Sequence, residues 1–279
     1  DESYFYKTSM ISYDYEPIYA LAILLGGTDP RGFLRLMDKV EAAGIDAIST
    51  GVVLAWATEA FERGLISTKD TDGLRLAWGD FPTYIKALEG ILRGKNEFYR
   101  SLRLGVGEAA RRYGGQEFAL ALAGHEMAGY HTGPAAHIGF LIGARHSHLD
   151  NAGYSLDQKM TPEQMPSPEE MVQSLLAEES WRQVLSSLVV CFFARGIYTP
   201  ELVSRALEMS GYQLSPEDLQ RIGREIWRAK YDFKLREGFS LDNLPIPRRI
   251  LETPTALGNL SEETFHRAVA ALKGELGRP

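Results

Sequence analysis

The chain has 279 residues, 44% hydrophobic and 24% charged, the make-up of a globular protein with one large domain or two smaller ones. Thirty-seven acidic residues against 30 basic ones leave a net charge of −7, which excludes electrostatic attraction to nucleic acid or to an anionic membrane. No apolar run reaches the roughly 18 residues needed to span a bilayer, so no membrane partner is expected either. Asp1-Glu-Ser-Tyr-Phe lacks the basic and apolar stretches of a secretion signal. The sequence also begins without Met, which suggests a processed product or a piece of something longer. A single cysteine, Cys191, excludes an internal disulfide framework and any zinc or iron–sulfur centre built from this chain alone. It fits a reducing, cytoplasmic setting.

In chain order the dominant signal is helical. Residues 33–43 place Leu34, Met37 and Val40 on one helix face, and Gly44 offers a left-handed cap. Gly44-Ile-Asp-Ala-Ile-Ser-Thr-Gly51 reads as a helix end, a short connection and a new start. Asp46, Ser49 and Thr50 there serve either capping or a polar ligand. Further helices are expected over 52–63 and 98–112, with glycine caps at Gly64, Gly94 and Gly114. After Tyr113-Gly-Gly115 the texture changes, and residues 121–154 read as irregular structure rich in Gly, His and Pro.

Ser/Thr-Pro-Glu starts recur at Thr161, Ser167, Thr199 and Ser215. Each joins a capping hydroxyl, a proline where no N–H is required, and a Glu at the positive dipole end. Residues 158–168 are expected to loop outward. Helices are expected over 171–194 and 219–235, with further glycine ends at Gly196, Gly211 and Gly238. By itself, Leu188-Val-Val-Cys-Phe-Phe193 reads as buried core with Cys191 as a small hydrophobe. Residues 245–259 read as Pro-rich and extended, and Ser261-Glu-Glu opens a last helix. Alternating period-two segments are nearly absent, so the expected fold is all-α, in two packed helical domains over 1–116 and 117–279.

Five of the six histidines lie between His125 and His148. His125, His131 and His137 are six apart, which does not stack them on one helix face, and His125-Glu126 lacks a second His at zincin spacing. His146-Ser-His148-Leu-Asp150 can set two imidazoles on one side of an extended segment, with Asp150 in reach as an orienting group. Metal ligation and proton transfer near neutral pH are both open to them. No Walker sequence and no Gly-x-Ser-x-Gly elbow is present.

Taken in order, Tyr15-Glu16, Gly44 to Gly51, Trp56 to Gly64 and Leu76-Ala-Trp-Gly79 resemble blocks of the tungsten-containing aldehyde:ferredoxin oxidoreductase family. Ala123-Gly-His-Glu-Met-Ala-Gly-Tyr130 is similar to its "KG-E-P-YD" block, and Gly139 to Leu149 resembles the segment ending in its active-site histidine. Leu188-Val-Val-Cys191 resembles the segment with its last cluster cysteine. The blocks fall in order over roughly residues 13 to 245.

The resemblance implies a tungsten (or molybdenum) ion held by two pyranopterins beside a [4Fe-4S] cluster, oxidising a small aldehyde to a carboxylic acid with ferredoxin or another electron-transfer subunit as acceptor. Of the family's two pterin segments, D-x-x-G-L-D matches Glu41-Ala-Ala-Gly-Ile-Asp46. D-x-x-G-L-C matches Ser186-Ser-Leu-Val-Val-Cys191, where Ser replaces Asp and Val replaces Gly. By position the resemblance assigns Glu41, Gly44, Ile45, Asp46, Arg145, Ser187 and Leu188 to cofactor binding and Cys191 to the cluster. His148 takes the place of the catalytic histidine, and Glu16 that of an acidic residue near the metal. Without the resemblance, His148 is a histidine bonded to Asp150, and Glu16 caps the helix opening at Pro17.

The family's C-x-x-C-x-x-x-C motif and its pterin-covering N-terminal domain do not occur in the sequence, and its interface iron motif E-x-x-H has no match at the place where it would fall. The resemblance therefore implies two C-terminal helical domains of a longer enzyme, cofactor-free and inactive alone, whose partner is the missing N-terminal domain. Two other readings stand beside it: a tungsten-dependent reductase of an aromatic-ring thioester, and a non-catalytic helical scaffold or subunit.

Overall fold

Capping chemistry sets most of the helix starts. Ser167, Thr199, Ser215 and Ser261 each accept a backbone N–H on the side-chain oxygen and open Pro168–Ser187, Pro200–Glu208, Pro216–Arg236 and Glu262–Glu275. At Ser167 and Ser215 the cap is reciprocal, with Glu170 and Asp218 reaching back. Thr161 makes no such bond, and Pro162–Gln164 is one exposed 3-10 turn. These elements come from a computed structural model that describes residues 10–11, 14–242 and 244–277. The reading of Asp1 to Phe5 lies outside them.

The fold is all-α, with one short hairpin among the described residues, Ala121–Leu122 against His125–Glu126. Three expected elements differ in extent. The helix over 98–112 is two helices, Glu97–Leu102 and Val106–Tyr113. The break is at Gly105, whose φ of 97° suits glycine and whose missing Cβ would stand 2.7 Å from a Glu126 carboxylate oxygen. The helix over 171–194 stops at Ser187, because Val189 turns left-handed at φ 58°. Residues 245–259 are not extended throughout, since Arg248–Glu252 is helical. Phe81–Arg93 and Pro134–Ile142 are helices whose apolar faces the sequence did not single out.

The structure divides into two compact units, one of Asp1–Gly129 with Ile246–Ile250 and one of Tyr130–Pro245 with Leu251–Pro279. The division expected at residue 116 falls inside the first unit: Phe118 and Ala119 are buried in its core, and Glu126 is tied to Ser49 and Val106. The first unit is built round Ala47–Glu62, buried almost all round and apolar to match. Leu36, Met37, Leu54, Phe81 and Tyr84 fill the core beside it.

In the second unit Pro168–Ser187 packs against Pro216–Arg236, Glu262–Glu275, Pro134–Ile142 and the short helix His148–Asn151. Gly223 allows a close crossing of Pro216–Arg236 over Pro168–Ser187, because a Cβ there would meet the Ser180 carbonyl oxygen at 2.3 Å. Among the described residues no helix is long and apolar enough to cross a membrane.

Candidate functional site

In the first unit the segment from Glu41 to Asp46 is a helix end. Gly44 adopts φ 65°, its N–H donates to the Glu41 carbonyl at 3.0 Å, and the Ile45 N–H donates to that of Val40 at 3.4 Å. This pair of hydrogen bonds satisfies the Val40 and Glu41 carbonyls, two of those left free at the helix end. Glu41 is exposed, and Asp46 caps Ala47–Glu62 by accepting from the Ser49 N–H at 2.6 Å.

Ile45 and Asp46 line a cavity of about 380 Å³ with Ser49, Arg103 and Glu126. Glu126 is buried and held on both oxygens: Oε1 accepts from the Val106 N–H at 2.8 Å and Oε2 from the Ser49 hydroxyl at 3.1 Å. Glu16 lies half-buried in the first turn of Tyr15–Ile18. The cap expected of it is supplied by Asp14, which accepts from the Tyr15 N–H at 2.9 Å.

In the second unit the end of Pro168–Ser187 repeats the first turn. Val189 takes the left-handed position, its N–H donating to the Ser186 carbonyl at 3.1 Å, and the Val190 N–H donates to Leu185 at 3.3 Å. Ser187 sits in the last helical turn with its hydroxyl on the Gln183 carbonyl, and Leu188 caps it. The core reading of 188–193 is corrected here. Cys191 is exposed, as are Val189 and Phe193, because the chain has already left the helix and nothing in this unit covers the turn.

His148 opens the helix His148–Asn151 behind a Ser147 cap. Its ring is half-buried, with the Tyr130 ring 5.3 Å away and Phe140 at 6.4 Å. Tyr130 is itself stacked on Tyr154 at 4.3 Å. Arg145 is exposed, and Asp150 holds this turn together. The Asp150 carboxylate accepts from the Arg145 N–H at 2.9 Å, the Arg145 Nε at 2.7 Å and the Ser147 N–H at 3.2 Å.

His146 does not face a shared metal site with His148. Its Nδ1–H donates to the Phe140 carbonyl at 2.9 Å, which leaves Nε2 to accept from Lys234 Nζ at 2.9 Å. His131 and His137 form a second local pair. The His131 Nε2–H donates to Thr253 O at 2.9 Å, so its Nδ1 accepts from His137 Nε2–H, also at 2.9 Å. Burial, and then the neighbouring His131, hold the His137 pKa down at about 3. His125 lies exposed on the hairpin. Among the described residues no group of three or more His, Cys, Asp or Glu is arranged to hold a metal ion.

Two buried charged residues serve this region. Arg182, 3% exposed, bonds the Leu149 carbonyl at 2.8 Å and Glu178 at 2.7 Å, and its guanidinium lies 5.2 Å from the Phe192 ring centre. It thereby ties the residue after His148 to the residue after Cys191. Its Nη2 has no partner among the described residues. Glu179, fully buried, accepts from the Ala144 N–H at 2.9 Å, and burial followed by the Asp150 charge pushes its carboxyl well above the usual range.

Residues 2–274 match the family described as aldehyde ferredoxin oxidoreductase, domains 2 and 3. The chain belongs to the aldehyde ferredoxin oxidoreductase family. It is similar to the tungsten-containing aldehyde ferredoxin oxidoreductase of Thermococcus kodakarensis, 27% identical over 256 residues, which covers 88% of this chain and 42% of that protein. The protein of the same description from Pyrococcus furiosus is 26% identical over the same shares. An aliphatic sulfonate oxidoreductase, WOR-like subunit, of Pyrococcus furiosus is 26% identical over 219 residues, 76% of this chain and 33% of that protein. The chain thus spans about 42% of the length of the first relatives.

Within this aldehyde ferredoxin oxidoreductase family member, the D-x-x-G-L-D-like and D-x-x-G-L-C-like segments share one helix-end geometry, one in each unit. Gly44 adopts the left-handed conformation without strain, whereas Val189 adopts it at a cost of about 1–2 kcal/mol for a side chain with a Cβ. The cost tests the turn. Because Val189 is 91% exposed, Val189→Gly loses no packing and is expected to raise stability by about 0.5–1 kcal/mol after glycine's own entropic cost. Gly44→Val is expected to lower it by about 1–2 kcal/mol. Urea denaturation of both variants checks this, and a destabilised Val189→Gly contradicts it.

Glu126, Glu179 and Arg182 were not singled out from the sequence. Each reads there as an ordinary charge in a polar position. A signal existed only for Glu126, which stands among Gly124, Met127, Ala128 and Gly129 with few other polar neighbours.

Proposed function

We propose that this chain supplies two helical domains of an enzyme that oxidises small aldehydes to carboxylic acids and passes the electrons to ferredoxin in the cytoplasm. The observation that carries the reading is the repeated helix end, which presents Asp46 in one unit and Cys191 in the other. In this reading the N-terminal domain that covers the cofactor comes from outside these residues. The group that the family implies, a tungsten or molybdenum bispyranopterin with a [4Fe-4S] cluster, finds suitable donors here. Cys191 offers an accessible thiol, one of the four ligands such a cluster takes. The unpartnered Nη2 of Arg182, buried beside Phe192, is a donor in want of an anionic acceptor. Asp46 and Ser49 line the first unit's cavity as polar contacts for a pterin.

The group, when bound, would supply two-electron oxidation of the substrate and one-electron transfer to the acceptor. The chain's own residues hold and move protons. His148, oriented by the Ser147 cap and the Tyr130 and Phe140 rings, would take the substrate proton at a ring nitrogen. Glu16 would be a second proton carrier on the first unit, and Arg145, Ser187 and Leu188 would frame the cofactor on the second. With one thiol, the isolated chain has too few ligands for the cluster and is expected to be inactive.

The test is metal analysis and turnover of the longer protein that contains this chain, purified without oxygen. The expected result is about one tungsten or molybdenum per chain and reduction of ferredoxin by a small aldehyde. Absence of both metals contradicts the enzyme reading and favours a scaffold. Metal present, with turnover only of an aromatic-ring thioester, contradicts the aldehyde assignment.

A further inference from the structure

The second unit has a groove of about 620 Å³ lined by Pro168–Ser187, Pro216–Arg236 and Glu275. Its size is within the range of small-molecule sites. Two tryptophans, Trp181 and Trp227, form flat apolar parts of the wall. Trp181 is fixed by donating its indole N–H to the Tyr198 carbonyl at 3.2 Å. Trp227 is 6% exposed, and its indole N–H is buried with no acceptor among the described residues. A buried donor without a partner costs about 1–3 kcal/mol, so the Trp227 ring is held here by packing and not by its N–H.

The charges in the groove point the same way. Arg221 is already engaged by Asp218 and Glu225 at 3.0 Å each. Arg224 has no hydrogen bond or ion pair with a described residue. Arg228 bonds only the Leu276 carbonyl among them, at 3.0 Å. These two guanidinium groups sit one helical turn apart beside Trp227. Glu275, held by the Gln173 amide, stands on the lining as well. Three arginines against two carboxylates leave the groove with a single positive charge, in a chain of net charge −7. Planar guanidinium groups pair well with a carboxylate, and indole faces take an aromatic ring.

We propose that this groove binds a small aromatic carboxylate. The ring lies against the Trp181 and Trp227 walls, and the carboxylate accepts from Arg224 and Arg228. The site is independent of the tungsten reading and stands or falls without it.

Benzoate is the probe. Titration of the 279-residue chain, followed by tryptophan fluorescence and equilibrium dialysis, is expected to show one saturable site. Benzamide, which has the ring without the charge, is expected to bind at least about tenfold more weakly. Arg224→Gln, at an exposed position, is expected to weaken benzoate about tenfold, and Trp227→Phe about three- to tenfold. Arg35→Gln, at an exposed position in the first unit, is expected to change nothing. No saturation up to on the order of 10 mM overturns the proposal, as does equal affinity for benzamide or indifference to Arg224→Gln. Binding to the chain but not to the longer protein that contains it also overturns the proposal, because the groove is then an internal interface.

Discussion

If the proposed function holds, His148→Ala, made in an enzyme that contains these domains, is expected to lower kcat for aldehyde oxidation by about 10²–10⁴-fold, the usual contribution of a positioned proton-transfer group. That range is about 3–5 kcal/mol of transition-state stabilisation. The expectation rests on how firmly the ring is held. His148 is the first residue of a helix whose Ser147–Asp150 cap is complete, and its ring packs toward Tyr130, which is stacked on Tyr154. The substitution does not touch the Asp150 bonds to Arg145 and Ser147, so the turn is expected to survive it. Steady-state kinetics with ferredoxin as acceptor, beside cluster and metal content, separates lost chemistry from lost cofactor. Full turnover with cofactors intact removes His148 from catalysis.

Glu179→Gln is expected to flatten the pH dependence of stability, with an effect on the order of 3 kcal/mol between pH 5 and 8. Glu179 is buried, faces the Asp150 carboxylate, and lies in the field of Lys234 and near Tyr231. Burial is the larger cause and Asp150 the next, and both raise its pKa. The folded protein therefore keeps a proton that the unfolded chain releases above about pH 4.5. Stability is fully present below that value and is lost as pH rises through the folded pKa. Lys234 acts in the opposite sense over a higher window. Burial holds its pKa down to about 8, so from there to about 10.5 the unfolded chain binds the extra proton and stability rises with pH.

Other groups packed against this cluster are His146, which accepts from Lys234, with Arg145 on Asp150 and Lys230 on Gln183. All of them remain in the variant, so the difference between the two profiles reports Glu179 together with its coupling to Asp150 and Lys234. Urea unfolding from pH 5 to pH 8 measures it. Parallel profiles contradict a protonated Glu179. The fold would then hold a buried carboxylate, a far costlier arrangement.

What the sequence reveals of this fold follows the range of the forces involved. Capping is decided within four residues, so the starts at Ser167, Thr199, Ser215 and Ser261 were legible as written. Thr161 carries the same three letters but opens only a short turn, cut off by Pro166. Hydrophobic periodicity carried the expected helix through 188–193, yet the chain ends it at Ser187 with a valine in a glycine conformation. Apolar letters alone do not say that Val189 and Phe193 are exposed, because exposure depends on what packs from elsewhere.

The candidate site divides along the same line. Gly44 and Asp46 were readable because a helix end and a cap are local. Arg182 and Glu179 were not, since both lie on a helix with charges on many sides and only tertiary packing buries them. The histidine-rich stretch resolves into separate duties. His146 is part of the Lys234 cluster, His131 and His137 bond each other, and His148 faces aromatic rings at the start of its own helix.

On the proposed function, Cys191 is a ligand of the [4Fe-4S] cluster. That assignment is tested most directly by electron paramagnetic resonance and iron analysis of the reduced longer enzyme, with and without Cys191→Ser. The variant keeps an exposed polar atom at a position that packs against little, so its fold is expected to hold. The account predicts that the [4Fe-4S] signal is lost or converted to that of a smaller cluster, with ferredoxin reduction abolished. An unchanged signal with four irons per chain would contradict it, because Cys191 would then hold no iron.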